Sequence, residues 1–239
     1  MLRRTIGKII PNYAILPLAL TGINNVLAFN GGKLIQALTG LAPTDMTGIV
    51  DDLFPFRPIW ILAYIGTFVF WTYQYITVAR ESREQAYRLV AGDALAKLIC
   101  LLFFVFLPTT NVRPNAEGTG VFLFLTRFIY WADSPKNLFP SIHCFVAWLG
   151  TRQMFEAKKI HPKALICILC VIGSILVFLS TMHTKQHVFY DVLGGIAVAE
   201  IGFSAAKYTK LPNLFERLNN RFLSSKLYAF LTRYIVHYE

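Results

Sequence analysis

The sequence contains few charged residues: Asp, Glu, Lys and Arg make up 15% of its 239 residues, against 55% for the apolar types. An average soluble domain is about a quarter charged. This composition excludes a disordered chain and argues against an ordinary soluble enzyme. The aromatic share of 15%, with 20 Phe and 11 Tyr, suits a protein that lies in a bilayer. The length allows one domain, or two at most.

Cysteine is also scarce, and its placement excludes the disulfide framework of a small secreted protein. Cys100, Cys144, Cys167 and Cys170 all lie in or beside strongly apolar stretches. The last two have the C-x-x-C spacing, but no His or second Cys pair lies near them in sequence. We therefore expect these side chains to pack as small apolar groups rather than to bind zinc or form a redox pair.

Six apolar stretches meet or approach the length of about 20 residues that a helix needs to cross a bilayer. They run over about residues 10–28, 59–78, 89–107, 141–155, 164–181 and 188–206, and the fourth is short for a span. The basic start of the chain resembles that of a signal peptide, but no small-residue cleavage site follows it cleanly, so we expect an uncleaved first span. The sequence therefore predicts an all-α bundle of six transmembrane helices.

The formal net charge is +10, and its distribution along the chain predicts the orientation. If both termini lie inside, 16 of the 23 Lys and Arg residues fall in inner segments and 6 in outer loops. Cytoplasmic loops of membrane proteins carry such an excess of positive charge. The bias places both termini in the cytoplasm and explains the net charge without a nucleic-acid partner.

Apolar residues recur at helical spacing after Lys210, with basic residues between them. The apolar positions are Leu214, Leu218, Phe222, Leu227, Leu231 and Tyr234. This pattern fits either an interfacial helix on the anionic inner leaflet or a cytosolic helix packed on the bundle. We therefore divide the chain into a six-span membrane domain, residues 1–210, and a basic amphipathic cytoplasmic tail, residues 211–239.

Three segments predicted on the outer side collect polar residues, which are costly at membrane depth and usually serve function there. The first carries Arg113, whose guanidinium suits a phosphate. In the second, Pro140 and Ser141 mark the start of a helix. The free backbone N–H groups at that start form an anion site, and His143 lies in its first turn.

The third segment contains His187 and Asp191, four residues apart and hence on one helical face. The carboxylate can accept a hydrogen bond from one imidazole nitrogen and leave the other basic. Lys185 adds a cation just before this pair. Together, the three segments contain a nucleophile with its orienting group, a second imidazole and a positive site for oxygens, which predicts phosphoryl transfer.

These segments resemble the three motifs of the type 2 phosphatidic acid phosphatase superfamily of membrane enzymes. The family motifs are Lys-x6-Arg-Pro, Pro-Ser-Gly-His and Ser-Arg-x5-His-x3-Asp, in that order. Here they read Phe106-x6-Arg113-Pro114, Pro140-Ser141-Ile142-His143 and Ser180-Thr181-x5-His187-x3-Asp191. The resemblance covers about residues 50–206 and implies a six-helix membrane enzyme.

The resemblance also implies a role for each motif residue. His187 would attack phosphorus and become a phosphohistidine, and Asp191 would hold its imidazole. His143 would protonate the leaving alkoxide and then activate the acceptor. Phosphate oxygens would be bound by Arg113, by Ser141 and by backbone N–H groups near Ile142. The family needs no metal and no cofactor.

Two cations of the family pattern are missing, because Phe106 and Thr181 stand where the motifs have Lys and Arg. Lys185 is the best substitute, since it precedes the nucleophile by two residues. Ile142 stands where the second motif has Gly, and its side chain narrows the approach to the site. Its backbone N–H remains available as a donor. The run Thr-Lys-Gln-His that ends at His187 resembles a bacterial branch of the superfamily. That branch is similar to inositol-phosphotransferase and sphingolipid-synthase relatives, which often lack the third-motif Arg.

The expected function is therefore that of a lipid phosphatase in a membrane, most simply a bacterial plasma membrane, with its active site on the extracytoplasmic face. Its partners would be the bilayer and a membrane lipid phosphate, such as phosphatidic acid, phosphatidylglycerophosphate or undecaprenyl pyrophosphate. The first alternative is a phosphotransferase that moves a phospho-head group onto a lipid alcohol. A non-enzymatic channel or scaffold is the second, and the intact His143, His187 and Asp191 argue against it.

Other polar and small residues carry weaker expectations. Asp51 and Asp52 are expected on a loop surface, with substrate or cation contact as the alternative, and His183 is a candidate neighbour of the site. Asp93 and Lys97 are expected to pair within the third span. Close helix packing is expected at Gly194, Gly195 and Gly202.

Overall fold

The computed structural model describes residues 10–225, and the chain there is almost entirely helical. The helices are α1 (Asn12–Thr39), α2 (Ile61–Glu81), α3 (Arg83–Phe106), α4 (Val121–Ala132), α5 (Ile142–Glu156), α6 (Lys163–His183), α7 (Phe189–Tyr208) and α8 (Leu211–Leu223). Two short 3-10 segments, Ile49–Leu53 and Pro58–Trp60, precede α2. The two-residue strands β1 (Thr44–Asp45) and β2 (Thr109–Thr110) pair in parallel.

Five of the described helices are long and apolar enough to cross a membrane: α1, α2, α3, α6 and α7. The prediction of an α-helical membrane protein is thereby confirmed at this level. The fourth expected span corresponds to α5, which has 15 residues and is too short to meet that criterion. Its apolar side chains Phe145, Leu149 and Met154 are fully buried against α2, α6 and α7. Because neighbouring helices cover α5, its own surface does not need to present an apolar stretch of about 20 residues to lipid.

The first helix is longer than predicted, since α1 continues past residue 28 to Thr39. The added part contains Gly31 and Gly32, and a Cβ atom at Gly32 would lie 2.7 Å from Phe104 Cβ and 2.9 Å from Asn137 Nδ2. The glycine therefore allows α1 to approach α3 and the loop before α5 without ending the helix. The helix ends at Gly40, whose φ of 66° is the left-handed conformation common after a C-terminus.

Helix α4 was not predicted, although its sequence is strongly apolar. It contains 12 residues, too few to cross a bilayer, and it lies in the segment between the first two motifs. Its outer face exposes Val121, Phe124, Phe128 and Trp131, the last of which is 81% exposed. Arg127 holds the preceding loop by donating to the carbonyl of Ala116 at 2.7 Å.

The charged pair inside the bundle is confirmed. Lys97 Nζ lies 2.8 Å from Asp93 Oδ2, and both side chains are buried. Tyr75 of α2 donates to Asp93 Oδ1 at 2.7 Å, and Lys97 also donates to the carbonyl of Thr21 in α1 at 2.7 Å. This network joins three helices and satisfies charges that would otherwise be costly away from water.

Helix α8, the described part of the tail, packs on the N-terminal part of α3. This matches the alternative of a helix packed on the bundle rather than one lying on a membrane surface. Arg83 Nε lies 2.7 Å from Glu216 Oε1, and Asn219 donates to the hydroxyl of Tyr87 at 2.5 Å. The tail residues from 226 onward, and the basic N-terminal residues used in the charge count, lie outside the described residues. Whether the tail is cytoplasmic stays a prediction.

Candidate functional site

The third motif forms a fixed imidazole–carboxylate pair at the start of α7. His187 lies in the turn before this helix and Asp191 in its first turn, and their Nδ1 and Oδ2 atoms are 3.2 Å apart. The same carboxylate oxygen accepts from the backbone N–H of Val188 at 3.0 Å. Asp191 is fully buried and His187 is 6% exposed. The carboxylate therefore sets the imidazole orientation and leaves Nε2 as the nitrogen that faces away from it.

The second motif brings His143 to that free nitrogen. His187 Nε2 lies 3.4 Å from His143 Nδ1, and His143 Nε2 lies 2.9 Å from the hydroxyl of Tyr64. With Asp191 ionised, the bonds form one directional chain, in which Tyr64 donates to His143, His143 to His187 and His187 to the carboxylate. The proton positions are assigned from this network. In this arrangement the lone pair of His187 Nε2 accepts from His143 Nδ1–H.

Aromatic side chains of α2 surround His143. The ring centroids of Tyr64, Trp71 and Phe68 lie 4.9, 5.3 and 6.4 Å from that of the imidazole. These three residues are spaced four and three apart, which places them on one face of α2. The sequence shows this aromatic spacing, but such a stripe is also typical of ordinary core packing. The contribution of α2 to the site was therefore missed.

Ser141 joins the second motif to the third. Its hydroxyl accepts from the backbone N–H of Cys144 at 3.3 Å, which caps α5 as predicted. Its own N–H donates to the carbonyl of Asp191 at 3.0 Å. A Cβ atom at Gly195 would lie 2.6 Å from the Ser141 carbonyl oxygen, so the missing side chain is what lets α7 come this close. Close packing at this glycine is confirmed.

Arg113 of the first motif reaches Gln186, the residue before His187. It donates to Gln186 Oε1 at 2.7 Å and to the carbonyl of Asp133, and its guanidinium lies 4.9 Å from the centre of the Tyr130 ring. Burial lowers the pKa of Arg113 and raises the pKa of the Asp133 carboxyl, with the nearby guanidinium partly offsetting the latter. The roles of Gln186, Tyr130 and Asp133 had no signal in the motifs and were missed.

Lys185 is anchored at the edge of this cluster. Its backbone has φ of 53°, its carbonyl accepts from Asn111 Nδ2 at 2.9 Å, and its ammonium donates to the carbonyl of Asp51 at 3.0 Å. One of the three ammonium hydrogens is thus engaged, and two remain. The described contacts do not include one between Lys185 and either histidine.

Asp51 is buried, so the expectation of a loop-surface position is wrong for this residue. Its carboxylate accepts from the N–H of Phe189 at 2.8 Å and from that of Gly48 at 2.8 Å. It therefore ties the first outer loop to the N-terminus of α7, where negative charge is favourable. Asp52 is exposed, as expected.

The two departures from the family motifs occupy different environments. Phe106, at the end of α3, is 76% exposed. Thr181 is buried, and its carbonyl accepts from the N–H groups of Gln186 at 2.9 Å and His187 at 3.1 Å, which shapes the turn that carries His187. His183 stacks on Trp60 with centroids 4.9 Å apart and contacts the carbonyl of Pro55, so its described contacts are with the loop before α2.

Comparisons of the chain with protein-family models, with curated proteins and with solved structures found no match. The assignment of a function therefore depends on the motif residues and on the geometry described above.

Proposed function

We propose that this chain is a lipid phosphatase of the type 2 phosphatidic acid phosphatase superfamily, which hydrolyses a membrane lipid phosphate through a phosphohistidine. The observation that carries the proposal is the line of groups Asp191–His187–His143, with contacts of 3.2 and 3.4 Å. These two motifs are separated in sequence, yet their imidazoles face each other at one end of the bundle. A nucleophile, its orienting carboxylate and a second acid–base group are the parts that such a reaction requires.

The reaction would take place in two steps at phosphorus. In the first step, His187 Nε2 forms a P–N bond while the P–O bond to the lipid breaks, and His143, which must enter this step as the imidazolium, gives a proton to the departing alkoxide and becomes neutral. In the second step, His143 removes a proton from water, the water oxygen forms a bond to phosphorus and the P–N bond breaks. The products are the lipid alcohol and inorganic phosphate, and His187 is regenerated.

Phosphate oxygens would be bound by groups that surround the histidine pair. Arg113 supplies a guanidinium, and the first turn of α5 supplies the backbone N–H of Ile142, which has no partner within the helix. The N–H of Ser141 is bonded to the carbonyl of Asp191, so Ser141 would donate through its hydroxyl. Lys185 would contribute one of its two remaining ammonium hydrogens. These donors replace water around the charge that develops on the oxygens in the transition state.

The membrane arrangement proposed here has six spans, namely α1, α2, α3, α5, α6 and α7, so that α5 is the fourth span. Both termini would be cytoplasmic and the site extracytoplasmic, in a bacterial plasma membrane. In support, the beginnings of α2, α5 and α7 and the end of α6 meet at the site, so they lie at one end of the bundle, while the α2–α3 and α5–α6 connections lie at the other. The latter end carries the basic residues Arg80, Arg83, Lys158 and Lys159.

A phosphotransferase is the second candidate, because a specific observation favours a donor of lower charge. The guanidinium of Arg113 is bonded to two neutral groups, the side chain of Gln186 and the backbone carbonyl of Asp133. A phosphodiester carries one negative charge, fewer than an ionised monoester, and needs fewer cations. In this reaction a lipid alcohol would take the place of water in the second step.

The experiment that tests the proposal is a turnover assay in lipid micelles containing EDTA. Phosphate-labelled monoesters, a lipid diphosphate and a phosphodiester donor are offered with a diacylglycerol or ceramide acceptor. We expect release of free phosphate that His187→Ala abolishes, with His161→Ala, an exposed histidine, as the matched control. Label that appears in a new lipid without free phosphate would establish the transferase instead. Turnover that survives His187→Ala would refute both mechanisms.

A further inference from the structure

The carboxamide of Gln186, the residue before His187, is held beside Arg113 in one defined orientation. The side chain is 1% exposed, and its Oε1 accepts from Arg113 at 2.7 Å. A guanidinium has only donors, so the oxygen of the carboxamide must face it. The NH2 group on the other arm has no hydrogen-bond partner among the described residues. A buried donor without an acceptor is costly, which indicates that an acceptor is supplied from elsewhere.

The position of this free donor is coupled to that of the nucleophile. The backbone N–H groups of Gln186 and His187 both donate to the carbonyl of Thr181, at 2.9 and 3.1 Å. The two residues therefore share one tight turn, and a shift of one shifts the other. Arg113 Nε is also buried without a partner in the described part of the chain. Two adjacent unpaired donors suit a ligand that presents several acceptor oxygens, which is the property of a phosphate group.

We infer that Gln186 is a substrate-binding residue, whose Nε2 group donates to a non-bridging oxygen of the lipid phosphate while Arg113 holds its Oε1. This inference depends on the proposed function, because it names a further donor in the same site. It adds a neutral donor to a site in which Phe106 and Thr181 replace two cations of the family motifs. The site would thus gain a donor without gaining positive charge.

Two substitutions of Gln186 test the inference. Gln186→Met keeps the approximate size and removes both polar arms. Gln186→Glu keeps an oxygen toward Arg113 but replaces the donor with a negatively charged acceptor. Gln153→Met is the matched control, because Gln153 is likewise a 1% exposed glutamine, in α5, outside the histidine pair. Each variant is measured for kcat, KM, inhibition by orthovanadate and Tm with and without vanadate.

Loss of one transition-state donor lowers kcat by about 100- to 1,000-fold, and we expect kcat/KM of Gln186→Met to fall by at least about 100-fold. The Gln186→Glu variant should lose at least as much, because it adds a negative charge that faces the phosphate. In both variants vanadate should inhibit about tenfold more weakly and raise Tm less. Gln153→Met should keep kcat/KM and vanadate inhibition, whatever its effect on Tm.

Retention of kcat/KM and vanadate inhibition within about threefold in Gln186→Met would overturn the inference while leaving the proposed function intact. If that variant does not fold, Gln186→Glu decides by the same criteria. If neither folds, the carboxamide is a structural element and the inference is wrong. Failure of the proposed function looks different, since the unmodified protein would then show neither turnover nor a vanadate-dependent Tm.

Discussion

Replacing Asp191 by Asn removes one charge from the site with almost no change in shape. The carboxylate oxygen Oδ2 accepts from both His187 Nδ1 and the N–H of Val188. The asparagine carbonyl should take that position, because Val188 N–H needs an acceptor and the amide NH2 cannot provide one. The imidazole would then keep its tautomer. The variant therefore isolates the charge of Asp191 from its role in orientation.

The expected loss of kcat follows from the distance between the His187 imidazole and the Asp191 carboxylate. Attack on phosphorus develops positive charge on the His187 imidazole, whose Nδ1 lies 3.2 Å from the carboxylate oxygen. At an effective dielectric constant of about 20, a full charge there is stabilised by about 5 kcal/mol, and half a charge by about 2.5 kcal/mol. Each 1.36 kcal/mol corresponds to about tenfold in rate. We therefore expect Asp191→Asn to lower kcat by about 100- to 5,000-fold, with little change in KM.

The assay is the metal-free turnover measurement, with single-turnover kinetics to separate formation of the phosphohistidine from its hydrolysis. The first step should account for most of the loss, since that is where the positive charge develops. Asp52→Asn, which changes an exposed carboxylate of the first outer loop, serves as the control and should keep full activity. A kcat of Asp191→Asn within threefold of the unmodified protein would refute the assignment of His187 as nucleophile.

Three further variants test individual contacts of the site. Tyr64→Phe removes the hydroxyl that lies 2.9 Å from His143 Nε2. Because the loss is that of one hydrogen bond, kcat in a steady-state turnover assay should fall by about three- to tenfold. Lys185→Ala should lower kcat/KM by more than about tenfold if its ammonium binds phosphate; a smaller loss would restrict Lys185 to its bond with the Asp51 carbonyl. Gly195→Ala places a Cβ atom 2.6 Å from a backbone oxygen, which should reduce the free energy of unfolding by about 1–3 kcal/mol and therefore lower Tm. An unchanged Tm would show that α5 and α7 can move apart without cost.

Much of the helical framework could be predicted because apolar stretches of bilayer length have few other ways to satisfy their backbone. The stretches predicted at 59–78 and 164–181 correspond to α2 (Ile61–Glu81) and α6 (Lys163–His183), with ends within a few residues. Helix α4 was missed because length was the criterion, and 12 apolar residues do not reach it. The end of α1 was missed because the predicted stretch stops at residue 28, whereas the helix continues through Gly31 and Gly32 to Thr39.

The sequence by itself determined that most of the chain forms apolar helices, several of membrane length, and it predicted the pairing of His187 with Asp191, because both follow from composition and local spacing. The expectation that both lie on one helical face is wrong, since His187 precedes the start of α7. Only the tertiary structure decided which groups surround them. The contact between the two histidines joins residues 44 positions apart, that of Arg113 with Gln186 joins residues 73 apart, and that of Tyr64 with His143 joins residues 79 apart. Helical periodicity predicts only contacts between residues three or four positions apart. Contacts at the larger separations depend on how the helices pack and on which of their ends meet.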